Sequence, residues 1–387
     1  MTVFGTRPEA IKCAPLVKAV DTAPDMVGTT VVTGQHREML DQVNRLFRIT
    51  PDHDLDIMSH GQTLAEVFSR VMKGLDQILA EDPPDALVVQ GDTTTSAAAA
   101  LAAFYRHVPV VHLEAGLRSG DLDQPFPEEA NRKITTQVAS LHLAPTRTNR
   151  ATLLAEGVSD ERVAVVGNTV IDALHWAIEA QVPFDDPALE RLVASGRRFV
   201  LVTAHRRESW GEPMVRVGQA LAALARRYPA TTVVLPIHRN PTVRDAVLPS
   251  VRDLANVLVT EPLDYGQFVR LMARSHLVLS DSGGVQEEAP ALGVPALVMR
   301  DTTERPEALA TGGVALVGTD PTTILAAASH LLDDEAAHAA ACSVVSPYGD
   351  GTAAVRSLTA IRALLARTAP TRPVPAPPAP RLVPVPS

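Results

Sequence analysis

Cysteine is scarce in this 387-residue chain: Cys13 and Cys342 are its only two. Two thiols make no disulfide framework, and their spacing suits no zinc site. A reducing, cytoplasmic setting is therefore expected. No apolar run is long enough to span a bilayer. The start, Met1 to Glu9, lacks the basic residues, apolar stretch and small-residue cleavage site of a signal peptide, so no membrane partner is expected. Positive charge is in deficit, with 35 Lys and Arg against 44 Asp and Glu and a net charge of −9. That argues against a nucleic-acid partner, yet a local basic pocket could still hold an anionic small molecule. Four fingerprints are also missing: Gly-x-Gly-x-x-Gly, His-Glu-x-x-His, Cys-x-x-Cys and Gly-x-Ser-x-Gly. Neither a nicotinamide cofactor nor a metal is expected.

What is present is a globular composition, 46% hydrophobic and 20% charged, at a length that favours two domains. Short apolar runs alternate with helical patterns. Thr2–Phe4, Val31–Thr33, Ala86–Gln90, Val108–Leu113 and Leu141–Ala144 read as strands of a first sheet. Phe199–Thr203, Thr232–Leu235, Val257–Thr260, His276–Ser280 and Ala296–Met299 read as a second set. Continuous apolar strands between helices imply parallel sheets covered on both faces. The fold class is α/β, with two Rossmann-like doubly wound domains and a cleft between them at the strands' carboxyl ends. The expected units are 1–167, 168–351, a C-terminal helix over 352–368, and a proline-rich tail over 369–387. Eight prolines in the tail's nineteen residues leave it neither helix nor interior strand.

The candidate chemistry sits at predicted strand ends. In Gly5-Thr-Arg-Pro-Glu-Ala-Ile-Lys12 a strand turns into a helix, and Arg7 and Lys12 flank a helix N-terminus that attracts anions; an ordinary βα turn with two solvated cations explains the segment as well. Asp92, in Gln90-Gly-Asp-Thr-Thr-Thr95, either faces the cleft or caps the next helix. Glu114 follows another strand end, where capping is a poorer explanation. Glu128 and Glu129 open a helix and complement its dipole; Glu128 and Arg132 share a face and can form a surface pair. Together Asp92, Glu114 and Glu128 make a crowd of acids whose pKa values rise through mutual repulsion, as acid–base chemistry near neutral pH requires. In the second half, His205 followed by Arg206 and Arg207, and His238 at another strand end, suggest a phosphate or carboxylate site. Ser280-Asp-Ser-Gly-Gly-Val-Gln-Glu-Glu-Ala289 is the strongest single segment. Ser282, Gly283 and Gly284 let a diphosphate approach helix amides, Glu288 could accept from ribose hydroxyls, and Arg305 lies at a neighbouring strand end.

Read together, FGTRPEAIK, GQHREMLDQV, QGDTTT, HLEAGLRSGD, PEEANR, GNTVIDAL, HRRES, DSGGVQEEAP, VMRDTTERPEAL and PYGDG, in this order from Val3 to Gly351, closely resemble bacterial non-hydrolysing UDP-GlcNAc 2-epimerases. The resemblance implies the glycosyltransferase-B architecture, a homodimer, a C-terminal helix packing back on the first domain, and a place in cell-envelope polysaccharide synthesis. It implies UDP-GlcNAc and UDP-ManNAc as substrates, with UDP-GlcNAc also an allosteric activator. By the same resemblance Asp92, Glu114, Glu128 and His205 are catalytic. Arg7, Lys12, Phe268, Ser282, Gly283, Gly284, Glu288 and Arg305 hold the UDP-sugar. Gln35, Gln62, Arg132, Arg206 and His238 belong to the activator site or its border. Ala204 replaces a glycine common in relatives, the surroundings of Gln62 vary, and the tail is not a family feature.

The C2 hydrogen of a UDP-sugar has no neighbouring carbonyl to acidify it. Without a nicotinamide fingerprint, the expected route is elimination of UDP to a 2-acetamidoglucal and re-addition. Asp92 and Glu128 would handle the proton, Glu114 would assist, and His205 would stabilise the departing diphosphate. A 2-epimerase of a UDP-diacetamido uronic acid sugar, a glycosyltransferase of the same architecture, and a non-catalytic UDP-sugar-binding regulator are the alternatives.

Overall fold

A computed structural model describes residues 1–34, 37–59, 61–206 and 209–368; Gln35 and the tail lie outside them. Two parallel sheets organise the chain. The first contains β1 (Thr2–Phe4), β2 (Thr30–Val32), β3 (His53–Asp54), β4 (Leu87–Gln90), β5 (Val110–Leu113), β6 (Leu141–Ala144) and β7 (Val163–Val165), in the order β3-β2-β1-β4-β5-β6-β7. The second contains β8 (Phe199–Thr203), β9 (Thr232–Pro236), β10 (Val257–Thr260), β11 (Leu277–Ser280), β12 (Ala296–Val298) and β13 (Val314–Leu316), in the order β10-β9-β8-β11-β12-β13. The expected strands are recovered. The edge strands β3, β7 and β13 are additions: two or three residues each, only partly buried, and too short to show a period.

In both sheets the strand order reverses beside the first strand, between β1 and β4 and between β8 and β11. Crevices open at such points beyond the carboxyl ends. The segments leaving these four strands are Gly5–Arg7, Gly91–Asp92, Ala204–Arg206 and Asp281–Gly284, so the topology brings the sequence candidates to two crevices.

The helix Leu64–Glu81 places Val67, Val71, Leu75 and Leu79 on one face of the first sheet, beside the alanine-rich helix Thr94–Tyr105. Alanine side chains let that helix sit close, and Ala97 to Ala100 are all fully buried. Between the sheets, the helix Thr169–Glu179 joins one core: its Leu174 and Ala177 pack in a cluster holding both Phe4 and Phe199. The stretch around Val182 to Gly196, where the helical pattern weakens in the sequence, still holds a helix, Pro187–Ala194, opened by Asp186.

The last described helix, Ala353–Thr368, returns to the first sheet. Leu358, Ile361 and Leu364 pack with Leu16, Val88, Leu113 and Leu143. Asp172 accepts from the amides of Ala353 and Ala354 at 3.1 and 2.9 Å, fixing its first turn. Arg362 forks onto Asp25 at 2.8 and 2.6 Å. If the apolar face secures this helix, Ile361→Ala should destabilise the protein by about 2–4 kcal/mol. Arg362→Ala, which breaks an exposed pair, should cost far less. Urea melts of both variants check this; equal losses would mean that the ion pair, not the packing, holds the helix.

Candidate active site

The first crevice gathers carboxylates in three different states. Asp92 does not cap the helix that follows it. Thr93 does, accepting from the Ser96 amide at 3.1 Å, which leaves the Asp92 side chain for Arg132. The guanidinium gives Asp92 Oδ2 two hydrogen bonds, from Nε at 2.9 Å and Nη2 at 2.6 Å. Its Nη1 donates to Glu129 at 2.9 Å. Arg132 therefore pairs with Asp92 and Glu129 rather than with Glu128, four residues before it. Glu129 is fully buried and also accepts from the amides of Ser119 and Gly120, so it shapes the loop beyond β5. Glu128 keeps a buried Oε2 with no hydrogen-bond partner among the described residues.

Glu114 is the most constrained acid. Its backbone is left-handed, at φ +64°, an uncommon state for a residue with a side chain and one that surrounding contacts must hold. Oε1 accepts from Lys12 Nζ at 2.5 Å and Asn168 Nδ2 at 3.0 Å, and Oε2 accepts from the Gln90 amide. Burial pushes its pKa up, but Lys12 and then Arg305 outweigh burial and hold it below the usual carboxylate range. Glu9, unremarked in the sequence, fastens the two strand ends of this crevice together. It accepts from the Gly5 and Thr6 amides and from the hydroxyls of Thr93 and Ser96.

The second crevice is built on Asp281, which sequence reasoning passed over inside the glycine-rich segment. Only 1% exposed, it accepts from the amides of His205 and Arg206, both at 2.8 Å, and lies 3.1 Å from His205 Nδ1. Burial raises its pKa, but the His205 contacts and the two amides overcome burial and hold it low. With Nδ1 facing Asp281, Nε2 is the ring nitrogen left for a ligand. The His238 ring stacks 6.2 Å away; burial, then His205, lowers its pKa. Arg206 lies 3.6 Å from Glu304. Arg206 and His238 thus flank His205. Gln62 keeps a buried Oε1 without a hydrogen-bond partner among the described residues.

Ser282 opens the helix Gly283–Ala291 without spending its hydroxyl on a cap. A Cβ on Gly283 would stand 2.6 Å from Arg305 Nη1, whereas one on Gly284 would meet nothing nearer than 3.9 Å. Gly283 is therefore required by Arg305, and Gly284 leaves an open approach to the helix amides. Arg305 itself is committed to protein: Nε donates to Glu287 and Nη1 to Glu304, each at 2.5 Å. Phe268 is partly buried against the core. Glu288 accepts from the Tyr265 hydroxyl at 3.0 Å. Burial pushes its pKa to about 7, against the pull of Tyr265 and the cations Lys12 and Arg7. A cleft of about 830 Å³ opens between the halves, walled by residues 118–125 on one side and by Arg206, Arg300 and Glu304 on the other. That volume suits a small-molecule ligand.

A carboxyl raised from 4.5 to about 7 binds more protons folded than unfolded. Its favourable contribution is complete below about pH 4.5 and is lost as pH rises through about 7. Glu288→Gln should therefore gain stability relative to wild type between pH 5 and 8, by about 2–4 kcal/mol. Denaturation midpoints across that range check it; parallel curves would mean that Glu288 titrates normally.

Comparison with known proteins agrees with this geometry. A family model described as UDP-N-acetylglucosamine 2-epimerase matches residues 18–362. The UDP-N-acetylglucosamine 2-epimerase of Escherichia coli K12 is 50% identical over 368 residues, covering 94% of this chain and 98% of that protein. Among solved structures, the UDP-GlcNAc 2-epimerase of Neisseria meningitidis bound to UDP-GlcNAc superposes with a TM-score of 0.86 at 43% identity, over 94% of this chain and 99% of that one. The Methanocaldococcus jannaschii enzyme, in complex with UDP-GlcNAc and UDP, gives 0.78 at 29% identity, over 94% and 99%. With two sheets, two crevices and a match along nearly its whole length, the chain belongs to the UDP-N-acetylglucosamine 2-epimerase family.

Proposed function

We propose that this protein interconverts UDP-GlcNAc and UDP-ManNAc by eliminating UDP and adding it back. The observation that carries the reading is the pairing of crevices: an acid cluster at one strand-order reversal and a carboxylate-anchored histidine at the other. In the forward half-reaction the C1–O bond breaks and its electron pair leaves with UDP. A base takes the C2 proton, and C1 and C2 become joined by the double bond of a 2-acetamidoglucal. Re-addition reverses these steps, with the proton delivered to the other face.

The acids divide this work by their hydrogen bonding. Both Glu114 oxygens already accept hydrogen bonds, so Glu114 serves by fixed charge and position. Glu128 has an oxygen without a partner among the described residues, and Asp92 presents its carboxylate at the crevice mouth beside Arg132. These two are the groups for the C2 proton on opposite faces. His205 Nε2, with Nδ1 facing Asp281 Oδ1 at 3.1 Å, stabilises the departing diphosphate. Ser282 and the amides opening its helix receive the same diphosphate. UDP-GlcNAc as activator, beside Arg206 and His238, and a homodimer complete the reading. The presence of both UDP-GlcNAc and UDP in the Methanocaldococcus jannaschii structure supports this part of the reading.

Proton NMR of the protein with UDP-GlcNAc in heavy water, without added nicotinamide or metal, tests the reaction. UDP-ManNAc carrying deuterium at C2 is the expected product. Product that keeps the original hydrogen would sink the elimination route, and free ManNAc would mean a hydrolase. Asp281→Asn should lower kcat by roughly 10²-fold while KM moves far less, because it disturbs the histidine rather than the nucleotide contacts. An unchanged kcat in steady-state assays would remove His205 orientation from the mechanism.

A further inference from the structure

The Pro347-Tyr348-Gly349-Asp350-Gly351 segment takes no part in the chemistry above, yet it lies where the two halves meet. The Tyr348 carbonyl accepts from the Asn168 backbone amide at 2.6 Å. Gly167 and Gly349 approach so closely that a Cβ on Gly167 would stand 3.1 Å from the Tyr348 carbonyl and 3.6 Å from the Gly349 Cα. From this loop the Tyr348 side chain reaches inward and is only 4% exposed. Its hydroxyl is buried with no hydrogen-bond partner among the described residues. The nearby Ala308 amide leans instead on the Arg305 carbonyl, at 3.2 Å.

The ring borders a small, partly enclosed pocket between the halves. Glu114 and Asn149 line it from the first sheet's side, and Glu287, Arg305 and Glu307 from the second. Its cavity volume of about 10 Å³ stands at the threshold for holding a single water and leaves no space for a second. Burial, then the charges of Glu287 and Glu307, push the phenol's pKa up, so Tyr348 keeps its proton and must donate it. A buried donor without an acceptor costs on the order of 1–3 kcal/mol. A water supplies what the wall lacks, accepting from the phenol and turning both its own protons toward carboxylates.

We propose that this pocket is a built site for one ordered water, through which Tyr348 positions the Glu287–Asn168–Glu114 chain and so acts as a positioning residue for the reaction. The chain is short. Asn168 Nδ2 donates to Glu287 at 2.8 Å and to Glu114 at 3.0 Å. A shift in Glu287 therefore reaches the acid behind the first crevice through one side chain. The functional half of this inference rests on the epimerase reading; the site itself does not.

Two experiments decide it. A high-resolution crystal structure of the wild-type protein should show a single density peak about 2.7–3.2 Å from Tyr348 Oη and from at least one of the carboxylates. No peak overturns the site, and contacts near about 2.4 Å to several carboxylate oxygens would make it a cation and overturn it equally. Tyr348→Phe keeps the ring and deletes the donor. Its Tm should fall by about 1–3 °C, whereas an unsatisfied hydroxyl would leave Tm unchanged or raise it, overturning the water site. Well below the melting range, kcat should drop on the order of tenfold with KM unchanged. A lowered Tm with wild-type kcat would overturn the positioning role. If the wild type shows no epimerisation at all, the epimerase reading fails, while the density and the Tm still judge the pocket.

Discussion

The Asn168 side chain joins two buried carboxylates that belong to different sheets, and the placement of both crevices depends on that junction. Its amide donates to Glu114 and to Glu287 while its oxygen accepts from the Val170 amide and caps the helix Thr169–Glu179. Lys12 closes the chain at one end and Arg305 at the other. Five polar side chains thus run across the interface, a carboxylate on each side of one neutral link and a cation beyond each carboxylate. Buried ions are costly to leave alone, and removing one partner of a buried pair typically loses about 3–5 kcal/mol. The chain therefore discourages any arrangement of the halves that would strand a charge, and it does so directly behind the acids proposed to act.

This frame accounts for the unusual backbone of Glu114. A left-handed glutamate persists only where its surroundings over-determine it. Three donors on two oxygens do so here, with Gly91 alongside, where a Cβ would come within 3.4 Å of Glu114 Oε2. The contrast with Glu128 is instructive. One glutamate has both oxygens engaged and contributes a fixed field. The other keeps a buried oxygen without a partner among the described residues. Residue type says nothing of this division; hydrogen-bond counting does.

Much of the frame was legible in the sequence because strand ends announce themselves. A buried apolar run breaking into small and polar residues marked the segments after β1, β4, β8 and β11, and parallel topology brings those segments to two crevices. What stayed hidden was pairing across the fold. Glu128 and Glu129 are indistinguishable by position, yet one is bonded to Arg132 and two loop amides and the other is not. Asp281 stood inside a recognised glycine-rich segment, but its role depends on β8 lying beside β11, which brings His205 to it. Arg305 reads as a ligand arginine and is found on Glu287 and Glu304. The edge strands β3, β7 and β13 were illegible for a simpler reason, being shorter than one sheet period can reveal.

The commitment of Arg305 and Lys12 to protein carboxylates bears on how a nucleotide diphosphate can be held. A cation already neutralised by a buried glutamate still attracts an anion, but more weakly, and the groups with hydrogen-bonding capacity to spare must contribute more. Those are the helix amides beyond Gly284, the Ser282 hydroxyl and the free nitrogen of His205. They share a property that suits the proposed elimination and re-addition: as hydrogen-bond donors without a full committed charge partner in the nucleotide, they can stabilise charge that develops on UDP without binding the product so tightly that it fails to return. An intermediate that must be re-attacked by its own leaving group needs both partners kept in place. The rigid ionic chain behind the crevices and the mainly dipolar lining in front of them meet these two demands with different side chains.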